Sequence, residues 1–269
     1  MLGGGIMAYT NLLFNIEDGI GILTFNRPKS LNALNQALLE ELSELLDQVA
    51  ENEEIRVLIL TGAGDKSFIA GADITELATF NPLQGKSFAR KGQETIQKLQ
   101  ELDIPVIAAV NGFALGGGTE MALAADFIYA SETANFGLPE ITLGLIPGFG
   151  GTQRLPRLIG SNRAKEIIFT GSMINALDAL KMGIVNRVCA PEALMAETMA
   201  TARNIAAKGK VSLRAAKEAV NTGQNADLGT GLRVELDAFA LCMASEDAKE
   251  GTSAFLEKRQ ATFTGSRNG

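Results

Sequence analysis

The chain has 269 residues, 46% of them hydrophobic and 20% charged, which suits one large folded domain, or a domain with an appendage, rather than a disordered chain. Its net charge of −7, from 31 acidic and 24 basic side chains, argues against nucleic acid as the main partner. It contains 0 histidines, which excludes Ser-His-Asp and Cys-His catalysis and every His-ligated metal site.

Acid–base chemistry near neutral pH must therefore fall to carboxylates, Lys, Tyr or Cys. No apolar run reaches the roughly 18 uncharged residues of a membrane span, so no membrane partner is expected; Val106–Leu115 comes nearest. Cys189 and Cys242 make no disulfide framework, and a reducing cytoplasm is the expected compartment. The opening MLGGGIM lacks a basic n-region and a full apolar h-region, so it does not read as a signal peptide; Met7 is an alternative start.

Leu12–Ile16 and Gly19–Phe25 flank Asp18-Gly19 and read as a hairpin. Pro28 and two asparagines then break the pattern. Leu38, Leu39, Leu42, Leu45, Leu46 and Val49 recur at helical spacing, with Asn35 as the N-cap. Val57–Thr61 is a strand buried on both faces. Gly62–Asp73 reads as a loop rich in small residues whose backbone N–H groups could face a ligand. Gln93–Leu102 is helical, with a start near Leu83. Val106–Val110, Phe127–Ala130 and Val185–Val188 are further core strands. Strands alternating with helices predict right-handed crossovers and a mostly parallel sheet.

Asn175 and Asp178 predict a capped short helix ending at Gly183. From Pro191 onward the pattern is helical: Ala193–Ala207, Ser212–Thr222, Leu228–Ala244 and Glu246–Phe263. This predicts a core over residues 8–190 and a helical region over 191–265, packed on the core or on a neighbouring subunit.

Ile104–Arg154 carries the densest chemistry. Gly116-Gly117-Gly118 sits between a strand and a short apolar helix. Three residues without Cβ let a ligand approach the backbone, and N–H groups at a helix N-terminus favour a phosphate or an oxyanion. A tight strand-to-helix turn with no ligand would use the same residues. Dinucleotide and nucleotide motifs fail. Met121 and Gln153 stand where G-x-G-x-x-G needs its last glycine, and no Walker lysine follows. Glu120 is the single charge in GGGTEMALAA, and Glu140 is isolated in GLPEITLGLIPG. Each is either a locally favourable helix-start or surface carboxylate, or a functional acid whose apolar setting raises its pKa. Gly148–Gly151 reads as shaping a pocket or supporting Glu140, and Arg154 as a local anchor.

These segments together resemble the crotonase (enoyl-CoA hydratase/isomerase) superfamily over about Asn11 to Phe263. The resemblance rests on NRPKSLNAL at 26–34, FIAGADITEL at 68–77 and VNGFALGGGTEMALAAD at 110–126. It extends through FGLPEITLGLIPGFGGTQRLPRLIG at 136–160 and EGTSAFLEKR at 250–259.

It implies an α/β, crotonase-like (ClpP/crotonase) spiral of ββα units with a C-terminal helical trimerisation region, assembled as a homotrimer or a dimer of trimers. It implies an acyl-CoA thioester substrate and no separate cofactor or metal, coenzyme A being part of the substrate. The oxyanion-hole N–H groups map onto Ala72 and Gly117, and two water-holding glutamates map onto Glu120 and Glu140. By the same resemblance Glu140 exchanges a proton with C2 while Glu120 helps activate the water. Ala70, Ala72, Asp73, Ile74 and Thr75 map onto the adenine-facing wall, with Lys29 near the phosphates. Many hydratases carry Lys where this chain has Thr75, which removes one expected phosphate contact. Lys258 and Phe263 fall in the family's C-terminal helix, where a solvated charge and a packing aromatic are the simpler roles.

The implied activity is hydration of 2-trans-enoyl-CoA to 3-hydroxyacyl-CoA. The alternatives are another reaction of the superfamily, such as enoyl-CoA isomerisation, or a non-catalytic acyl-CoA- or RNA-binding scaffold.

Overall fold

The computed structural model describes residues 9–265; the readings made for Met1–Met7 lie outside the described residues. The hairpin forms as the sequence predicts. β1 (Leu12–Glu17) and β2 (Ile20–Phe25) pair antiparallel. Asp18 and Gly19 between them have φ of 52° and 76°, the backbone of a turn whose twist matches that of the strands. α1 (Gln36–Glu51) starts where Asn35 accepts the Leu38 N–H at 2.9 Å, and its six periodic apolar residues are all buried.

Three strand pairs follow: β3 (Val57–Gly62) with β4 (Ser67–Ala70), β5 (Val106–Val110) with β6 (Phe113–Leu115), and β7 (Phe127–Ser131) with β8 (Asn135–Gly137). β9 (Ile174–Asn175) and β10 (Arg187–Cys189) complete the strands. Within each of the three pairs the first strand enters a six-stranded sheet, ordered β1-β2-β3-β5-β7-β10. The second enters a four-stranded sheet, ordered β4-β6-β8-β9. From β2 to β10 the larger sheet is parallel.

The prediction of a mostly parallel sheet therefore holds, but it missed the second sheet. Gly62–Asp73, read as a loop, contains β4. These second strands are two to four residues long and carry Gly, Ala and Asn, too short for a hydrophobic period to show. The last core strand also begins later than read, at Arg187, with Val185 buried in the turn before it.

The larger sheet is covered on both faces. Leu58, Leu60, Val106, Ala108 and Val110 pack into one core with α1 and with Ile96 and Leu99. The alternate residues Val57, Ile59, Ile107 and Ala109 pack into a second core with Leu194, Met199 and Ala202. Successive side chains of a strand point to opposite faces, so an unbroken apolar run is what such a strand requires.

The helices are α2 (Ile74–Leu77), α3 (Pro82–Glu101), α4 (Gly117–Ala122), α5 (Gly151–Ile159), α6 (Ser161–Thr170), α7 (Ala176–Met182), α8 (Leu194–Ala206), α9 (Lys210–Gly223), α10 (Leu228–Ala244) and α11 (Glu246–Glu257). α3 carries a full capping box from Asn81 and Gln84. α7 has the predicted Asn175 cap and ends at Gly183 in the left-handed conformation. Leu194, Met199 and Ala202 of the second core all lie on α8. α9 is tied to the larger sheet's rim by Lys217, whose ammonium meets Asp126 at 3.0 Å and donates to the Ile104 carbonyl.

The last helix is shorter than the sequence predicts. Lys258 turns left-handed at φ 55°, and Arg259 folds back onto Glu250 at 2.6 Å. Lys258 is exposed, and the Phe263 ring lies beside Gly251. No helix among the described residues is long and apolar enough to cross a membrane.

Candidate active site

The four-stranded sheet builds the site. β4, β6 and β8 are parallel neighbours, with Ala70 opposite Leu115 and Leu115 opposite Gly137. Extending this register past the strand ends by two residues sets Ala72 beside Gly117. On the third strand it leads through Leu138 and Pro139 to Glu140. The carboxyl ends of adjacent parallel strands are where α/β sheets hold ligands, because the chain diverges there and leaves backbone groups unpaired.

Leu34 holds the first of these ends. Its N–H donates to the Gly71 carbonyl at 2.8 Å, and its carbonyl accepts the Asp73 N–H at 2.8 Å. In such a parallel bridge the N–H of the intervening Ala72 points away from Leu34. Gly117 is the first residue of α4, where an N–H has no intrahelical acceptor. The two predicted oxyanion donors are thus brought to adjacent strand ends. Gly118 lets this happen. A Cβ there would overlap the Ile69 carbonyl of β4, so any side chain would push α4 off the sheet.

Glu120 lies one turn into α4 and is 1% exposed. Its Oε1 accepts two backbone N–H groups, from Phe149 at 2.8 Å and Gly151 at 2.6 Å. Burial pushes its pKa up from 4.5 to about 7; Glu140 adds to the rise, while the two N–H donors and Arg154 oppose it. Glu140 stands in a 3₁₀ turn over Pro139–Leu143. Its Oε1 lies over Gly116, 2.7 Å from where a Cβ would be, and Gly116 sits at φ 50°. Its Oε2 is buried with no hydrogen-bond partner, and burial raises this carboxyl too. The Glu140 side chain is only partly buried, and its charge acts on the deeply buried Glu120, so the two carboxyls share one site.

The predicted thioester-side contacts take varied positions. Segment 28–34 runs beside 70–73, since Ala70 donates to the Leu31 carbonyl at 3.0 Å and Leu34 pairs with Ala72. This carries Lys29, exposed on a short 3₁₀ turn, towards the same edge. Ile74 is about half exposed. The Asp73 and Thr75 side chains are engaged with each other: the Thr75 hydroxyl donates to Asp73 Oδ1 at 2.6 Å, and Asp73 caps α2. Arg27 pairs with Asp73 at 3.0 Å. Threonine hydrogen bonding first and Arg27 second hold the Asp73 carboxyl below its usual range.

Two contributions escaped the sequence reading. Arg27 fixes the Ala70–Thr75 loop by spanning Asp73 and the Ala33 carbonyl. The Gly148–Gly151 segment supports Glu120 and not Glu140, through the N–H groups of Phe149 and Gly151. Its glycine spacing was a visible signal, but the partner is 29 residues away in sequence and only the fold joins them. Arg154 anchors local structure as read, donating to the Phe149 carbonyl and to Gln100.

Two unpaired N–H donors beside two carboxyls whose pKa is raised by burial are suited to acid–base chemistry on a substrate whose carbonyl oxygen gains negative charge. The enoyl-CoA hydratase/isomerase family model matches residues 15–266, and the chain belongs to that family. It is 46% identical to a crotonyl-CoA hydratase from Syntrophomonas wolfei, over 96% of this chain and 99% of that one. It is 44% identical to a short-chain-enoyl-CoA hydratase from Clostridium acetobutylicum, over 94% and 97% of the two chains. The crystal structure of an enoyl-CoA hydratase from Bacillus anthracis superposes with a TM-score of 0.92 at 44% identity. That match covers 94% of this chain and 98% of the other. The crotonase-like fold and its helical C-terminal region are those of such neighbours.

Proposed function

We propose that the protein is an enoyl-CoA hydratase, adding water across the 2,3-double bond of a 2-trans-enoyl-CoA to give the 3-hydroxyacyl-CoA. The observation that carries this reading is the pair Glu120 and Glu140 at one sheet edge with the free N–H groups of Ala72 and Gly117.

The thioester oxygen accepts hydrogen bonds from Ala72 and Gly117. As water attacks C3, charge moves onto that oxygen, and prearranged donors stabilise it; losing one such donor typically costs about 10²–10³ in rate. Glu120 in its ionised form, fixed through Oε1, uses its other oxygen to take a proton from the water. Glu140 in its protonated form gives a proton to C2. The C3–OH bond and the C2–H bond form, the double bond is consumed, and a proton passing from Glu120 to Glu140 resets the pair. The family model, with relatives named as hydratases at 44–46% identity over nearly the full chain, supports this assignment. Ala70, Asp73, Ile74, Thr75 and Lys29 form the side on which the CoA portion docks, Asp73 and Thr75 chiefly through the loop they stabilise.

Coenzyme A enters as part of the substrate and the reaction needs no further cofactor. The free Cys189 and Cys242 fit a reducing cytoplasm. The subunit assembles with copies of itself into a trimer or a dimer of trimers. α10 supports this: Leu228, Leu232, Leu236, Phe239 and Met243 form an exposed stripe at helical spacing, and none of its residues is buried. The activity is tested with purified protein and 2-trans-enoyl-CoA thioesters of graded chain length. Loss of the conjugated enoyl absorbance and formation of 3-hydroxyacyl-CoA are expected, most rapidly with short chains. No conversion at any length overturns the assignment, and a shifted double bond as sole product would make the protein an isomerase.

A further inference from the structure

Arg154, on α5, lies behind Glu120, and its surroundings are unusual for a half-buried cation. Its Nε donates to Gln100 Oε1 at 3.0 Å, its Nη2 to Gln97 Oε1 at 3.2 Å and its Nη1 to the Phe149 carbonyl at 3.1 Å. All three acceptors are neutral. No carboxylate lies within ion-pairing distance of it among the described residues. A half-buried cation with neutral acceptors only is partly desolvated without an ion pair to offset that cost.

The turn between the two groups is shaped for both. Phe149 donates its N–H to Glu120 and accepts from Arg154 through its carbonyl. A Cβ on Gly150 would overlap the Arg154 Nη1, and one on Gly151 would lie 3.0 Å from the Glu120 Oε1. Consecutive glycines thus make room for a guanidinium and then a carboxylate. The Arg154 N–H also closes the turn onto the Gly150 carbonyl at 2.8 Å. The charged groups acting on Glu120 are Glu140, from the 3₁₀ turn, and Arg154, from α5. They act in opposite senses.

We propose that Arg154 is a positioning residue that clamps the Phe149–Gly151 turn onto the Glu120 carboxylate and supplies its counter-charge. The proposal rests on the hydratase reading for its kinetic consequence, since Glu120 acts there as the ionised base. Its physical content, a guanidinium biasing one carboxyl through a shared turn, does not depend on that reading. Burial first and Glu140 second favour the protonated form of Glu120; the Gly151 and Phe149 N–H groups oppose them most, and Arg154 opposes them both by its charge and by holding the turn that carries those donors.

The test follows Glu120 itself. With ¹³C-labelled glutamate, its carboxyl resonance is assigned as the one missing in Glu120→Gln and titrated in wild type, Arg154→Lys and Arg154→Gln, alongside kcat and KM. Arg154→Gln is expected to move the midpoint to higher pH by about one unit. At pH 7 that lowers kcat about 5-fold, with KM within about 2-fold and activity recovering as pH rises. Arg154→Lys keeps the charge and is expected to keep the midpoint. An unmoved midpoint in Arg154→Gln, a loss equal at every pH, or a lysine variant as impaired as glutamine overturns the proposal. Should Arg154→Gln not fold, Gln100→Glu leaves the guanidinium in place and neutralises it. It must move the midpoint upward as well, and an unmoved midpoint there is equally fatal. The resonance reports on Glu120 without turnover. A wild type that titrates as described yet hydrates no enoyl thioester therefore refutes the hydratase reading alone.

Discussion

The carboxyl edge of the four-stranded sheet and the outer face of α10 break the same rule in opposite ways. At the sheet edge, Glu120 is 1% exposed, its carboxyl shut away from water and held by two backbone N–H groups. On α10, Leu228 is 78% exposed and Phe239 67%. Ionisable groups belong in water and large apolar groups out of it. At the edge, Glu140 Oε2 and the Ala72 and Gly117 N–H groups stand unpaired, which the proposed reaction would use to hold a polar substrate atom. On α10 the exposed stripe is what the proposed assembly would cover with a second apolar face. Under the proposed function the first is a cost that catalysis maintains, and under the proposed assembly the second is a cost that subunit contact removes.

The sheet edge breaks most severely at Gly118. Replacing it with Ala drives a methyl into the Ile69 carbonyl and should cost about 3 kcal/mol or more, read as a lower urea midpoint. A midpoint like that of the wild type would mean that α4 is not held tightly on β4.

The cost at Glu120 can be read from pH. Its folded-state pKa, about 7, is raised above its reference value of 4.5, so the folded state binds the proton more tightly than the unfolded one. The penalty is therefore absent below about pH 4.5 and complete above about pH 7. Glu120→Gln keeps an oxygen for the Phe149 and Gly151 N–H groups and removes the charge. It should unfold at higher denaturant than wild type at pH 8, by about 3 kcal/mol, with the gain fading as pH falls to 4.5. A gain independent of pH, or no gain, would show that the carboxylate is not held at a cost.

On α10 the expected effect on the subunit is smallest. Leu236→Asp with Phe239→Asp should lower the particle mass by light scattering while leaving the sheet signal in circular dichroism unchanged. An unaltered mass would remove α10 as the contact.

The sequence made some of this contrast legible. The hairpin turn, the α1 stripe with its Asn35 cap, and the Asn175–Gly183 helix could be read because their causes are local. Glu120 and Glu140 stood out as lone charges in apolar runs. The second sheet was invisible, since β4, β6, β8 and β9 are too short to show a period. The cradle of Glu120 was also invisible, because Phe149 and Gly151 reach it only through the packing of α5 against α4. Arg27 carried no readable signal of its own, because its partner Asp73 lies 46 residues along the chain.

The central claim is that Glu120 and Glu140 work as one unit on one water. Its most direct test is turnover of a short 2-trans-enoyl-CoA by wild type, Glu120→Gln, Glu140→Gln and the double variant. Each single change should lower kcat by about 10² or more, and the double variant should be little worse than either, because removing one half of a coupled pair already disables it. Near wild-type turnover in either single variant, or fully multiplicative losses in the double, would contradict the account.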